Sequence, residues 1–298
     1  MVNKINPQLL PDKECLFVSD LDGTLLRPDG SFPEDYKKRL NRLLDSGLRF
    51  TIATARNYDS AHPILHGLNL NLPVILFNGV YLADFHSGNI LENSSLINKP
   101  IVENMLDLAL SQNIDPFIYA LGEQHKLYYQ GTTNSGSQAY IRSLEGDRRL
   151  QQVNGFKDFK FPSGEKVFGF LLIDTHDRLE PIYQSLQETH FGSLNLYFAK
   201  DVSTHGHYWL QAFHQEANKG NMLKTLTHKL GIPLNRTVVF GDYPNDLEMF
   251  RVAGHAIAMG NALPEVKDSA QEVIGCNSQG AVLQYLESIW LEKWIHSN

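Results

Sequence analysis

The sequence predicts an α/β protein built on a parallel sheet, with an α+β unit inserted into it. Three observations carry this expectation. Short apolar runs without alternation, such as "CLFVSD" (15–20) and "TVVFGD" (237–242), interleave with helix-period segments, as strands covered on both faces do. From about residue 98 the rhythm changes to consecutive strand-like runs, and after about residue 213 the strand–helix alternation returns.

Each element follows from its residues. "CLFVSD" reads as a buried strand. "PEDYKKRLNRLLDSG" (33–47) reads as a helix, with Pro33 in its first turn, Leu40, Leu43 and Leu44 on its inner face, and Gly47 as the stop. "LRFTIAT" (48–54) is the next strand, "YDSAHPILHGL" (58–68) a short helix broken or started around Pro63, and "PVILFNG" (73–79) a third strand. "VYLADFHSGNILEN" (80–93) has the pattern of a hairpin turning at His86–Asn89.

The inserted unit begins with a helix over 99–113 and paired strands "PFIYALG" and "HKLYYQG". A polar, Gly- and Ser-rich piece over 131–149 follows, then the strand "KVFGFLLID", a helix near 178–190, and strands "LNLYFAK" and "YWLQAF". The first unit resumes with a helix over 218–231, the strand "TVVFGD", a helix over 245–254, the strand "HAIAMG", a short helix over 263–270, the strand "EVIG" and a helix over 279–294. The expected division is therefore a discontinuous core of residues 1–98 and 213–298 with an insertion of 99–212.

At 298 residues and 42% hydrophobic content the chain has ample material for two units. Its formal net charge of −7 argues against a general affinity for nucleic acid or anionic membrane, which need a basic surface. Cys15 and Cys276 cannot form a disulfide framework, and Cys15 lies in an apparent buried strand as a small hydrophobe. The first residues lack a signal-peptide core, and no segment approaches the roughly 18 apolar residues of a membrane span. A cytoplasmic location is expected.

The chemistry begins at "DLDGT". Along an extended strand, residues two apart share a face, so Asp20 and Asp22 are expected to point into one space with Leu21 turned away. Ligands of open parallel sheets bind beyond the carboxyl ends of the strands, where this pair lies. Two close carboxylates repel, so either one holds a proton or a cation neutralises them. Gly23 permits an immediate turn, which the Thr24 hydroxyl can fix by a local hydrogen bond. Taken alone, the stretch is also consistent with an Asx turn after a strand.

Other strand ends add polar residues. Thr54 ends "TIAT" and is followed by Ala55 and Arg56; Asp242 ends "TVVFGD", with Asp246 at the start of a helix; and Lys219 precedes a helix in "NKGN". Singly, each has an ordinary reading as a strand-end hydroxyl, a loop acid, a helix-start acid favoured by the dipole, or a solvated lysine. Jointly they are expected to converge on one edge of one sheet.

"DLDGTLL", "TIATAR", "NKGN" and "GDYPNDLEMF" resemble, in order, the four motifs of the haloacid dehalogenase (HAD) superfamily of phosphohydrolases. The stretch "AGHAIAMGNALPEVKDSAQEVIGCNSQGAVLQYL" is similar to the Cof-type subfamily, and the insertion lies where that subfamily carries its larger IIB (C2-type) cap. Ala55 stands where the subfamily mostly has glycine, and Tyr243-Pro244 fill a loop often made of smaller residues. The resemblance implies a Rossmann-like core, a phosphatase activity and an aspartyl-phosphate intermediate. Asp20 would then be the nucleophile, and Asp22 the general acid and later base, its proton favoured by the charge of Asp20. Mg²⁺, a hard ion for oxygen ligands, would be held by the Asp20 carboxylate, the Asp22 backbone carbonyl and Asp242, with Asp246 and Asn245 supporting. Thr54 and Lys219 would grip the phosphoryl oxygens.

The resemblance also makes Arg56, Asn78 and Gly79 candidates for contacting the organic part of a small-molecule phosphate ester, with a surface ion pair and a plain turn as the alternatives. Tyr128, Tyr129 and the "GTTNSG" loop are a mixture suited to a sugar, or an exposed cap loop. "HGH" (His205, His207) and nearby His214 lack a complementary zinc-spaced cluster and read as chance clustering among 12 histidines. No Walker loop, dinucleotide fingerprint or Gly-x-Ser-x-Gly elbow is found. The expected activity is hydrolysis of a small phosphorylated metabolite, with a sugar phosphate as the expected substrate. A phosphomutase using the same intermediate and a catalytically idle binding protein are the alternatives.

Overall fold

The computed structural model describes residues 14–122, 125–157, 159–201 and 204–295. They form two compact units, divided at Ser94/Ser95 and Glu216/Ala217 rather than at 98/99 and 212/213.

The first unit contains a parallel five-stranded sheet. Its strands are β1 (Leu16–Ser19), β2 (Phe50–Ile52), β12 (Thr237–Gly241), β13 (His255–Ala258) and β14 (Glu272–Val273), in the order β14-β13-β12-β1-β2. β1, β2 and β12 are buried along their whole length, which is why their sequences show no alternation. Helices α1 (Glu34–Asp45), α2 (Tyr58–Leu65), α6 (Lys219–Leu230), α7 (Leu247–Val252), α8 (Pro264–Asp268) and α9 (Ala281–Ile295) connect or follow these strands. On α1 the buried residues are Tyr36, Leu40, Leu43 and Leu44. Pro33 sits just ahead of α1 as its N-cap.

Two local expectations are corrected here. Helix α2 starts well before Pro63, because the Asn57 side chain accepts from the Ser60 N–H at 3.0 Å and caps its first turn. Pro63 falls near the helix end, where few intrahelical bonds remain to be lost. The strand β3 (Val74–Leu76) does not join the parallel sheet as a full member. It pairs antiparallel with β4 (Tyr81–Ala83), which pairs with β5 (Ile90–Asn93), and a single Ala53–Ile75 bridge ties it to the chain just beyond β2.

The second unit, Ser95–Glu216, is a six-stranded sheet of β6 (Phe117–Leu121), β7 (His125–Tyr129), β8 (Leu150–Gln152), β9 (Lys166–Asp174), β10 (Leu194–Lys200) and β11 (Tyr208–His214). Their order is β10-β11-β9-β6-β7-β8, antiparallel except for the β7–β8 pair. Helices α3 (Lys99–Ser111) and α5 (His176–Thr189) bury Met105, Ala109, Leu179 and Ile182 against Ile118, Phe170, Leu172 and Leu210. The Gly- and Ser-rich piece holds a further helix, α4 (Ser135–Ser143), and the strand β8 follows it directly. Asn134 and Ser137 satisfy the first turn of α4 reciprocally, so polar residues that read as a loop build a helix start. Tyr128 is buried with its hydroxyl on Glu165 at 2.6 Å, which removes it from the proposed sugar contacts. Among the described residues, no helix is long and apolar enough to cross a membrane.

Candidate active site

Parallel register brings the separated motifs to one sheet edge. Ser19 is level with Phe240 on β12 and with Ile52 on β2. The next residues along these strands therefore leave the sheet side by side: Asp20, Gly241–Asp242 and Ala53–Thr54. The Asp20 N–H donates to the Phe240 carbonyl at 3.0 Å, and the Thr54 N–H to that of Ile75 at 3.0 Å.

Lys219, the first residue of α6, is fully buried and donates to Asp20 Oδ1 and to Asp246 Oδ1, both at 2.6 Å. Asn218 caps this helix by accepting from the Asn221 N–H at 2.8 Å. Asp246 is fully buried too, and its second oxygen accepts from the backbone N–H groups of Asp242 (2.9 Å) and Tyr243 (3.2 Å). It thus folds the 242–246 loop onto the lysine. Gly241 leaves room for this, since a Cβ there would lie 2.5 Å from the Asp246 carboxyl carbon.

Asp242 is held from across the chain. Thr24 Oγ1 donates to Asp242 Oδ1 at 2.9 Å, so the threonine, expected to fix only its local turn, reaches over 218 positions. Gly23 adopts φ +77°, and a Cβ on it would stand 2.1 Å from Asp242 Oδ2. Asn261 donates to the Gly23 carbonyl at 2.8 Å and accepts from the Asn277 N–H at 2.9 Å, while Asn277 donates to the Leu26 carbonyl at 2.9 Å. These two asparagines brace the turn that carries Asp20, Asp22 and Thr24. Nothing in a linear reading marks them, because their partners lie more than 230 residues away.

Asp20, Asp242 and Asp246 place carboxylate oxygens within 4.8 Å of one another, the only such group of three among the described residues. Burial pushes the Asp20 carboxyl well up, a rise that Lys219 opposes and the charge of Asp246 reinforces. Burial, then Asp246, pushes Asp242 up to about 6. Burial disfavours the Lys219 charge, but Asp20 and Asp246 outweigh it and hold the ammonium protonated. Three formal negative charges thus face one positive charge, and a divalent cation held there would supply the charge that is missing. The donor set is entirely oxygen, which suits a hard ion.

The strand ends at Ser19, Leu21 turns into the core, and the Asp22 side chain is half exposed. Both of its oxygens accept from Arg56 at 2.7 Å, which places Arg56 on the acid itself. Thr54 is fully buried, and its hydroxyl accepts from the Arg56 N–H at 3.1 Å.

Asn78 and Gly79 lie in the turn just after β3. Phe77, Asn78 and Gly79 follow one another with φ of +53°, +54° and +85°, a left-handed run that turns the chain back into the protein. Asn78 is buried, accepting from Asn245 Nδ2 at 3.0 Å and donating its N–H to the Thr54 carbonyl at 2.9 Å. Gly79 lies against the backbone of Asn218, where a Cβ would come within 2.2 Å of the carbonyl oxygen. In the second unit, His207 Nδ1 donates to the His205 carbonyl at 3.2 Å; the "HGH" stretch forms no group of metal ligands among the described residues.

Known proteins resemble this chain along nearly its whole length. Pyridoxal phosphate phosphatase YbhA of Escherichia coli K12 is 28% identical over 283 residues, covering 90% of this chain and 96% of that protein. 5-Amino-6-(5-phospho-D-ribitylamino)uracil phosphatase YitU of Bacillus subtilis is 25% identical over 281 residues, covering 92% and 97%. The crystal structure of a haloacid dehalogenase-like hydrolase from Bacteroides thetaiotaomicron superposes with a TM-score of 0.75 at 22% identity, covering 92% of this chain and 99% of that one. Residues 17–286 match the family model described as haloacid dehalogenase-like hydrolase, and the chain belongs to that family of enzymes.

Proposed function

We propose that this protein is a Mg²⁺-dependent phosphatase that hydrolyses a small phosphorylated metabolite through an aspartyl-phosphate on Asp20. The observation that carries the reading is the buried Lys219 joining Asp20 to Asp246 at the edge where Asp242 also ends. The Asp20 and Asp242 carboxylates and the Asp22 backbone carbonyl are the proposed ligands of Mg²⁺. Asp246 supports them, because its oxygens already accept from Lys219 and the 242–243 backbone. The bound ion would offset the repulsion between the anionic nucleophile and the phosphate.

An Asp20 oxygen attacks phosphorus, the bond to the leaving oxygen breaks, and the proton of Asp22 passes to that oxygen. Water then attacks the phosphoryl group while Asp22 takes its proton, which releases inorganic phosphate and restores the Asp20 carboxylate. Lys219 and Thr54 hold phosphoryl oxygens, assisted by the partial positive charge at the start of α6. The Asp22–Arg56 pair must open for the acid to act, and that frees the guanidinium to meet the incoming anion.

The relatives are phosphatases by name, which favours hydrolysis over phosphoryl return to a sugar. A sugar phosphate is the proposed substrate. The test is phosphate release from a panel of sugar phosphates, pyridoxal phosphate and 5-amino-6-(5-phospho-D-ribitylamino)uracil, with Mg²⁺, with EDTA, and for Asp20→Asn. Turnover abolished by EDTA and by D20N supports the phosphatase, and the preferred member of the panel identifies the substrate class. An isomeric sugar phosphate as product would establish a mutase, and wild type as inactive as D20N across the panel would establish a binding protein.

A further inference from the structure

The left-handed turn Phe77–Gly79 touches three parts of the site at once. The Phe77 N–H donates to the Arg56 carbonyl at 2.9 Å and the Asn78 N–H to the Thr54 carbonyl at 2.9 Å, which fixes the loop after β2. The Asn78 carboxamide oxygen accepts from Asn245 at 3.0 Å, in the same loop as Asp242 and Asp246. Gly79 packs on the backbone of Asn218 and Lys219, where a Cβ would lie 2.2 Å from the Asn218 oxygen and 2.9 Å from the Lys219 nitrogen. A buried aromatic residue at φ +53° is a strained conformation, one of a kind that persists only where surrounding contacts enforce it. Asparagine is the side chain best able to take the left-handed region beside it while also offering an acceptor.

We infer that Asn78 is a positioning residue for the metal-binding carboxylates, acting through Asn245, and not a contact for the organic part of the substrate. Without the Asn78–Asn245 bond, the 242–246 loop loses its tie to the turn that also packs under Lys219. Asp246 sits directly after Asn245, and it alone connects Lys219 to the backbone N–H of Asp242. A shift at residue 245 therefore moves Asp242 and the lysine bridge together. Groups that orient metal ligands in this way are worth about 10–100-fold in metal affinity. The inference rests on the metal-dependent phosphatase reading only for its activity readout; the metal-binding readout stands apart from turnover.

The experiment is Mg²⁺ binding by calorimetry to wild type, Asn78→Gly, Asn78→Asp, Asn245→Ala and the N78G/N245A double variant, beside p-nitrophenyl phosphate kinetics. Glycine accepts the left-handed backbone, so N78G removes the hydrogen bond without a folding penalty from φ. N78G and N245A are each expected to weaken Mg²⁺ about 10–100-fold. The double variant should be no weaker than either, since both changes delete the same bond. N78D, which keeps an acceptor and tolerates the turn, should stay near wild type. Ratios of kcat/KM between different phosphate esters should be unchanged in N78G. Wild-type Mg²⁺ affinity in N78G and N245A, additive losses in the double variant, or altered substrate ratios with unaltered Mg²⁺ affinity would each overturn the inference. Loss of turnover in every protein with the metal-binding pattern intact would sink the phosphatase reading and leave this one standing.

Discussion

Lys219 and Asp246 form an ion pair with no solvent exposure on either side chain, at 2.6 Å, and the same ammonium reaches Asp20 at an equal distance. A buried cation shared by two carboxylates is both a structural tie and a chemical one. Removing it strands charges that cannot reach water. Lys219→Met should therefore destabilise the protein by about 3–5 kcal/mol, and it should abolish turnover even where the fold survives. Urea unfolding with phosphate-release assays checks both, and a K219M protein as stable as wild type would contradict the buried pairing.

Gly23 and Gly30 allow a controlled comparison. Both are left-handed, at φ +77° and +76°, but a Cβ at Gly23 meets Asp242 Oδ2 at 2.1 Å while one at Gly30 meets nothing within 4 Å. Gly30→Ala should cost about 1–2 kcal/mol of stability and leave activity intact. Gly23→Ala carries the same backbone strain and must also push Asp242 aside, so it should lose Mg²⁺ binding and activity. Thermal unfolding and metal titration on the two variants separate strain from displacement.

Thr24→Val removes the hydroxyl that holds Asp242 while keeping the shape of the side chain. The bond runs to a charged group, so about 1.5–3 kcal/mol of orientation is at stake. The Mg²⁺ concentration for half-maximal rate should rise about tenfold or more, with KM for the phosphate ester changed far less. Equal metal requirements in wild type and T24V would show that Asp242 is positioned without Thr24.

The metal-free protein should respond to pH in a definite direction. Asp242 is raised from 3.8 to about 6 by burial and Asp246, so the folded state binds more protons than the unfolded one between those values. Its contribution is present below pH about 4 and is lost as pH rises through about 6, on the order of 2–3 kcal/mol. Mg²⁺ bound as proposed would compete with the proton for the same oxygen atoms. Stabilisation by Mg²⁺ over EDTA should therefore be large at pH 7.5 and small near pH 5, which thermal unfolding in both conditions measures. A Mg²⁺ effect independent of pH would count against Asp242 as a ligand.

His125 in the second unit gives the opposite slope. Burial, with the nearby Arg149, lowers it from 6.5 to about 3, among the rings of Phe168 and Tyr119. A base held neutral contributes stability that is present above pH about 6.5 and lost as pH falls toward 3, about 5 kcal/mol in all. His125→Phe should flatten the acid limb of unfolding followed by near-UV circular dichroism. An unchanged limb would place the acid sensitivity elsewhere.

The sequence by itself determined the alternation of buried strands and helices, the presence of a second, strand-rich unit, and the identity of the residues at the strand ends. These are local properties: unbroken apolarity marks a strand covered on both faces, and a residue at the end of such a strand has a predictable place in a parallel sheet. The convergence of Asp20, Asp242, Asp246 and Lys219 was legible for this reason, since parallel register carries each strand end to the same edge. What only the tertiary structure decided is how those groups are held. The Thr24 bond to Asp242, the asparagine brace of Asn261 and Asn277, the capture of Asp22 by Arg56 and the inward turn of Asn78 toward Asn245 all join segments far apart in the chain. Hydrogen bonding of this kind depends on distances of a few tenths of an ångström between loops, and no periodicity in a linear sequence records them.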